Sequence, residues 1–402
     1  MVDIDPVGSL SVLLTSGCNL DCRYCYRQAG PARRLDWGDL RRSLDWALAA
    51  PGGELELIFS GGEPLLEFDL LSRAISHVRS NGRSGRPVEL RILTNGILLD
   101  PDRLEFLDHH SVFVNLSFDG VGEAQIHRGE GTWDKLDRLL GLMKDQHDQW
   151  FSDYCRVTMT LTPQNLPYLA DSVEYLVDRK VEAIGVSPAL SRVPGWDDDL
   201  LPPLDRQFSR IFDHGKRHLQ KTGKVPFLAF RKYLEDDIPP EPGKRSCAAL
   251  AGHNPVLDVD GHLYSCLMFA PSGMDTSDRR LKEIAEDIDL GQPDDPEFED
   301  KRRSFTGGIR NSELFSSAPD LESRYGKCRE CPAAAVCKIC PLALLESGPG
   351  KAPKKVPALL CAYNLLSIRY RGNFPVQENP YPPPVTVESI KERMRYWEKV
   401  HK

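Results

Sequence analysis

Eleven cysteines offer more chemistry than any other side-chain type in this chain of 402 residues, and they fall into three groups. Cys18, Cys22 and Cys25 form a CxxxCxxC loop, seven more lie beyond residue 246, and Cys155 stands alone. Three thiolates suit a structural zinc site poorly, because such sites take four ligands. A four-iron cluster held by three cysteines keeps one iron open for a substrate or cofactor, so the first loop reads as a place for chemistry. The second group runs Cys247, thirteen residues, Gly261, four residues, Cys266, and then Cys328-x2-Cys331-x5-Cys337-x2-Cys340 and Cys361. CxxC pairs in a loop-rich segment suit zinc or iron–sulfur clusters. Cys155 reads as a small buried apolar side chain.

The rest of the composition narrows the setting. Met1 to Pro6 has no basic stretch leading into an apolar one, so it does not read as a secretory signal, and no run of eighteen apolar residues marks a membrane span. A cytoplasmic location is expected, where thiols stay reduced and serve as ligands or catalytic groups rather than disulfides. Lys and Arg number 51 against 59 Asp and Glu, a net charge of -8. That balance argues against broad nucleic-acid or anionic-membrane binding and leaves room only for a local basic patch.

The elements that must position the first loop are legible as alternating strands and helices. Short β-rich runs at Ser11–Thr15, Leu55–Ser60, Val88–Leu93, Val112–Phe118, Arg156–Leu161 and Ala183–Val186 alternate with amphipathic helices. Leu40, Leu44, Ala47 and Leu48 share one helical face, as do Leu136, Leu139, Leu140 and Met143. Six parallel βα units with right-handed crossovers predict an α/β fold, a partial (β/α)6 TIM-like barrel, with active-site residues at the C-terminal strand ends. A helical stretch is expected around Phe208–His218, and the acidic, Pro-rich Glu235–Lys244 marks a boundary. The expected domains are a barrel over 1–235, a loop-rich, metal-organised extension over 236–375, and a tail over 376–402 whose helix carries Ile390, Met394 and Trp397 on one face.

The cysteine loop, with Tyr24 before its third cysteine, resembles the radical SAM superfamily. Gly61-Gly62-Glu63-Pro64 after the second strand is similar to that family's GGEP motif, which binds the amino group of S-adenosylmethionine. Glycines admit close backbone approach, and a carboxylate or carbonyl accepts from an ammonium. Thr94-Asn95-Gly96 and Ser117-Phe118-Asp119-Gly120 resemble segments around the cofactor's ribose and carboxylate, with Asn95, Ser117 and Asp119 as the expected contacts. Arg156 is a further candidate for the methionyl carboxylate, whereas His127 and Arg128 read as surface or packing residues. The resemblance implies that a [4Fe-4S] cluster on Cys18, Cys22 and Cys25 chelates S-adenosylmethionine. One electron then cleaves a carbon–sulfur bond, and the 5′-deoxyadenosyl radical takes hydrogen from a substrate.

The seven later cysteines resemble the SPASM extension of radical SAM peptide-modifying enzymes. One spacing departs, with two residues between Cys337 and Cys340 where that family has three. The resemblance implies two auxiliary [4Fe-4S] clusters, one on Cys328, Cys331, Cys337 and Cys361, the other on Cys247, Cys266 and Cys340 with an open iron or a non-cysteine ligand. It also implies an oxidoreductase acting on a peptide or protein, with crosslinking of a ribosomally made precursor as the first expectation. Formylglycine formation in a sulfatase ranks lower, because Leu267 stands where sulfatase maturases carry a basic aspartate. Dehydrogenation of a small molecule and a non-catalytic electron-transfer protein are the remaining readings. The expected partners are a precursor peptide or protein and a reductant such as flavodoxin or ferredoxin. With seventeen residues ahead of Cys18, a separate leader-recognition protein or recognition by the body is expected too. The residues leave the catalytic base open; Tyr26, Tyr264 and Asp275 are merely polar groups near the cysteine loops.

Overall fold

The computed structural model describes residues 6–27, 31–82, 86–190, 193–231, 254–274, 278–308, 322–323, 326–327, 337, 339–340, 342–343 and 355–375. Six parallel strands, β1 (Ser9–Leu13), β2 (Leu55–Ser60), β3 (Val88–Thr94), β4 (Val112–Ser117), β5 (Cys155–Leu161) and β6 (Ile184–Pro188), lie in sequence order across one sheet. Between them run α1 (Trp37–Ala49), α2 (Phe68–Asn81), α3 (Pro101–His109), α4 (Gly122–Gln125), α5 (Thr132–Gln146), α6 (Asp148–Tyr154) and α7 (Leu169–Asp178), and α8 (Leu201–Thr222) follows β6. This is the partial barrel expected from the sequence. The first strand starts two residues earlier than its apolar run and ends at Leu13, because Thr15 turns away to bridge Arg34.

Strand alternation gives the sheet its two faces. Leu55, Leu57 and Phe59 of β2, Leu90 and Ile92 of β3, and Val157, Met159 and Leu161 of β5 are buried in one core with Leu40, Leu44, Leu136 and Met143 of the helices. The intervening residues, among them Ser60, Arg91, Leu93, Ser117, Arg156, Thr158 and Thr160, are only half-buried. One face of β2, β3 and β5 thus packs under helices while the other is less covered. Cys155 is on the packed face, buried as expected.

The extension does not hang apart from the barrel. β7 (Val256–Leu257) pairs parallel with β1, and β8 (Leu263–Tyr264) and β9 (Asp289–Gly291) continue the same sheet antiparallel. Pairing with β7 satisfies the edge that an open barrel would expose at β1. The described part is also more helical than its cysteine density implied, with helices at Arg279–Asp287, Phe298–Gly308 and Ala358–Asn373. The last of these packs on α8, where Tyr370 donates to Asp205 at 2.8 Å and Phe374 meets Phe212 with ring centres 5.4 Å apart. Cys247, Cys328, Cys331, Asp275 and the expected tail helix lie outside the described residues.

Candidate cofactor site

The cysteine loop is built onto the end of β1 by its neighbours' backbones. Gly62 N–H donates to Thr15 O and Glu63 N–H to Gly17 O, each at 2.8 Å, so the Gly61–Pro64 segment is zipped to the residues that lead into Cys18. Any side chain at Gly61 would overlap the Thr15 carbonyl, and any at Gly62 the Gly17 carbonyl; Gly61 also has φ +142°. The two glycines therefore serve a close approach between two protein backbones, a tighter demand than the approach to a ligand expected from sequence. Pro64 opens a 3-10 turn, Pro64–Glu67, in which Pro64 and Leu65 are buried and for which Glu63 is the N-cap.

Glu63 is 1% exposed, and its carboxylate is already engaged. One oxygen accepts from Leu65 N–H at 3.0 Å and Thr94 Oγ1 at 2.6 Å, the other from Asn95 N–H at 2.8 Å. Burial pushes its pKa up, and the bonds from Thr94 and the two amides work against that. Its side chain ties the ends of β2 and β3 together. Asn95 carries the linkage onward, with Nδ2 donating to Asn19 Oδ1 at 2.8 Å and standing 3.9 Å from Cys18 Sγ. Ser117 ends β4, half-buried on the open face beside Thr158.

Behind the loop lies a second network. The Tyr24 hydroxyl donates to Asp119 Oδ2, while Asp119 Oδ1 accepts from Arg128 Nη2 at 3.1 Å and Thr160 N–H at 2.8 Å. Asp119 is fully buried, and Gln125 holds its own amide at 2.8 Å. These residues brace the loop: the Tyr24 hydroxyl and Asp119 face each other. Arg128 is the residue the sequence reading missed. It is 7% exposed and paired, not on the surface; burial opposes its charge, but Asp119, Tyr24 and Cys22 more than compensate and raise its pKa. Its Nε, buried without a hydrogen bond in this structure, is a donor left over for an anionic group. A signal existed in sequence, since an acidic residue at a strand end needs a nearby cation if it is buried.

Arg156 is placed elsewhere. It is the second residue of β5 and pairs with Asn115, four residues before Thr160, so about 13 Å of strand separates it from the Asp119 network. It packs over Gly185 instead. That placement weighs against the methionyl carboxylate as its partner.

Cys18 and Cys25 are exposed and Cys22 half-buried, and burial pushes the Cys22 thiol up to about 11. Among the described residues, no three His, Cys, Asp or Glu side chains converge on a point that one metal ion would fill. In a cubane each thiolate holds a different iron, which spreads the ligands apart. In the extension, Cys266 precedes the turn Leu267–Phe269, Cys361 is buried in the helix Ala358–Asn373, and Cys337 and Cys340 are half-buried. Asn364, one turn after Cys361, donates to Cys337 Sγ at 3.3 Å. Arg27 links the two regions, donating from Nη2 to Ser272 O and Oγ at 3.2 Å. Tyr264 donates to Asp260 at 2.8 Å, and Tyr26 lies half-buried beside Arg27.

Residues 12–176 match the model of the radical SAM superfamily. The chain is 29% identical over 281 residues to the cysteine-type anaerobic sulfatase-maturating enzyme of Clostridium perfringens, covering 65% of this chain and 74% of that one. Its fold is similar to native anSMEcpe with bound AdoMet and Kp18Cys peptide, with TM-score 0.66 and 18% identity over 92% of this chain and all of that one. It is also similar to Streptococcus suis SuiB bound to precursor peptide SuiA, with TM-score 0.52 and 16% identity over 89% and 76% of the two chains. No helix among the described residues is long and apolar enough to cross a membrane.

Proposed function

We propose, for a chain that carries a radical SAM domain over residues 12–176, that it oxidatively modifies a side chain of a peptide or protein, with a ribosomally made precursor as substrate. The domain implies S-adenosylmethionine and a [4Fe-4S] cluster, and Cys18, Cys22 and Cys25 are the residues that would hold that cluster. The observation that carries the reading is the zipper from Gly62 and Glu63 to Thr15 and Gly17, continued by Asn95 to Cys18, which fixes the cysteine loop against the open face of the barrel. Cluster and cofactor together supply one-electron cleavage of a carbon–sulfur bond and a radical that abstracts hydrogen.

The chain's own residues position and enclose. The backbone carbonyls around Gly61–Glu63 lie beside the loop, where they would accept from the cofactor's ammonium, and Asn95 and Ser117 offer polar groups at the strand ends. Arg128, held by Asp119, has Nε to give to a carboxylate. The hydrogen bond to Cys337 from Asn364, one turn after Cys361, supports an auxiliary cluster on Cys328, Cys331, Cys337 and Cys361, and Cys247, Cys266 and Cys340 would hold another. Such clusters would take the electron left on an oxidised substrate. The peptide reading draws on the two peptide-bound structures of similar fold. Leu267 offers no carboxylate after Cys266, which favours precursor modification over formylglycine formation. A reductant of the flavodoxin or ferredoxin kind and a separate leader-recognition protein would complete the system.

Anaerobic reconstitution tests this directly. About twelve irons per chain and 5′-deoxyadenosine formation from S-adenosylmethionine are expected, and a candidate precursor should change mass on incubation. A Cys18, Cys22, Cys25 triple alanine variant should lose about four irons and all cofactor cleavage. Cleavage surviving in that variant would overturn the assignment, and one tightly bound zinc would overturn the auxiliary clusters.

A further inference from the structure

Resting on the reading of the chain as a peptide modifier, we propose that Arg156 is a specificity-determining residue that receives a carboxylate of the substrate peptide inside the barrel. Arg156 takes no part in the Asp119 network, and nothing else neutralises it. Its Nε is buried with no hydrogen bond, and among the described residues no carboxylate forms an ion pair with its guanidinium. The nearby acids are engaged by a different arginine: Glu56 Oε1 accepts from Arg91 Nε at 2.7 Å, and Glu89 accepts from Arg91 Nη2. Asn115, opposite Arg156 on β4, accepts through Oδ1 from Thr158 Oγ1 at 2.6 Å. Tyr363, on the helix Ala358–Asn373, donates its hydroxyl to Val186 O at 2.7 Å. Burial and the like charge of Arg91 lower the Arg156 pKa, while Tyr363 and Glu56 work the other way. A guanidinium drawn out of water without an anion is destabilising, and an anionic ligand that lands on it offsets that penalty.

The neighbouring strand makes room for this group. Gly185 of β6 lies against the guanidinium, and a Cβ there would stand 2.7 Å from Arg156 Nη2 and 3.1 Å from Nε. Gly185 has no positive φ, so its missing side chain serves space rather than conformation. An approach exists as well. Thr158 and Thr160 on the same face of β5 are half-buried, as is Ser117 on β4, so uncharged and partly accessible residues lead from Arg156 toward the cysteine loop. Thr160 marks the level of that loop, since its N–H holds Asp119 and its hydroxyl accepts from Arg128 at 3.2 Å. Arg156 lies about 13 Å down the strand from there, a distance that about four residues of extended peptide span. A peptide with its carboxylate on the planar fork of Arg156 would therefore hold a residue about four positions away beside the loop. An Asp or Glu side chain and a free C-terminus offer the same group, so either can be the source.

Affinity selection with a defined probe tests this. The probe is a synthetic library of random peptides about ten residues long, made once with free C-termini and once as C-terminal amides. It would be offered anaerobically to the full reconstituted chain with S-adenosylmethionine, at about 300 mM salt to screen the exposed arginines, and retained peptides identified by mass spectrometry. Wild type should enrich carboxylate-bearing peptides about tenfold or more over neutral ones. Enrichment of Asp and Glu over Asn and Gln among the amides assigns the side chain, and enrichment of free acids over amides assigns the C-terminus. Arg156→Gln should lose the preference, and Arg156→Glu should turn it toward peptides that carry Lys or Arg, a gain that misfolding does not produce. The same acid preference in wild type and Arg156→Gln would overturn the proposal, as would a wild type that retains no peptide or retains acidic and neutral peptides alike. If Arg156→Gln fails to fold or to take up iron, Arg156→Lys decides: it must still favour acidic peptides, and loss of the preference there counts against the proposal. No 5′-deoxyadenosine from wild type with dithionite would instead sink the radical reading itself.

Discussion

Tyr24 and Asp119 are 95 residues apart in sequence, and the phenol of one donates to the carboxylate of the other inside the protein. The bond joins the cysteine loop to the end of β4, and through Asp119 to Arg128 and the Thr160 amide on β5. Two strand ends, the segment carrying Arg128 and the loop are thereby held by one buried carboxylate. Asp119→Ala would strand the buried Arg128 charge and should cost about 3–5 kcal/mol. Tyr24→Phe removes one bond to a charged group and should cost about 1–3 kcal/mol. Denaturant titration of the apo chain checks the order, and a Tyr24→Phe cost at or above that of Asp119→Ala would refute it.

Gly62 provides a second test of how the loop is held. With the Gly17 carbonyl where a Cβ would stand, Gly62→Ala must push two backbones apart at the entry to Cys18. The expected result is the loss of about four irons relative to wild type, read by iron analysis after reconstitution. Gly53, with nothing near its absent Cβ, is the control, and Gly53→Ala should keep its full complement.

What was legible in sequence and what was not divides along physical lines. The six strands and the faces of α1 and α5 were readable, because burial under helices enforces a local period: Leu40 and Leu44, or Leu136 and Met143, recur at helical spacing whatever lies elsewhere. The CxxxCxxC loop was noticeable because its spacing is itself the signal, and residues 12–176 match the radical SAM model. Arg128 was not, because its partner sits nine residues away on another element and only the fold shows that both are buried. Arg156 stands at the start of β5, where the sequence also places it, and only the fold shows that it packs over Gly185. The helix Ala358–Asn373 was hidden in a cysteine-rich context, and it is stabilised by an aromatic cluster with α8 rather than by capping.

Glu89 should make stability depend on pH. It sits inside the barrel beside Glu56, where burial pushes its pKa from 4.5 up to about 7 despite the attraction of Arg91. Below about pH 4.5 both folded and unfolded chains hold the proton. Between there and about 7 the unfolded chain releases it first, so stability falls as pH rises, by at most about 3 kcal/mol, and the penalty is constant above. Glu89→Gln should flatten this slope between about pH 5 and about 8. Urea midpoints measured across that range check it, and a variant that loses stability with pH as steeply as wild type would refute the assignment.

Besides the β1–β7 pairing and the helix Ala358–Asn373 on α8, the extension is held to the barrel by a clamp on α1. Trp46 donates from Nε1 to Glu299 at 3.0 Å and meets Phe298 edge-on at 5.2 Å. Arg302, 2% exposed, closes over the Trp46 ring and pairs with Glu299 at 2.8 Å. At the rim, Arg42 of α1 reaches Gln292 at 2.7 Å and Asp294 at 3.2 Å. The rim contacts are exposed and worth little, whereas Phe298 is 1% exposed and its truncation removes a packed aromatic. Phe298→Ala should cost about 3–5 kcal/mol, and Lys301→Ala, on the exposed side of the same helix, under about 0.5 kcal/mol. Because the lost contact lies between barrel and extension, the cost should appear as faster proteolytic release of an N-terminal fragment, with barrel amides still protected from hydrogen exchange. If protection is lost equally throughout the barrel, the clamp belongs to the global core and not to a separable contact.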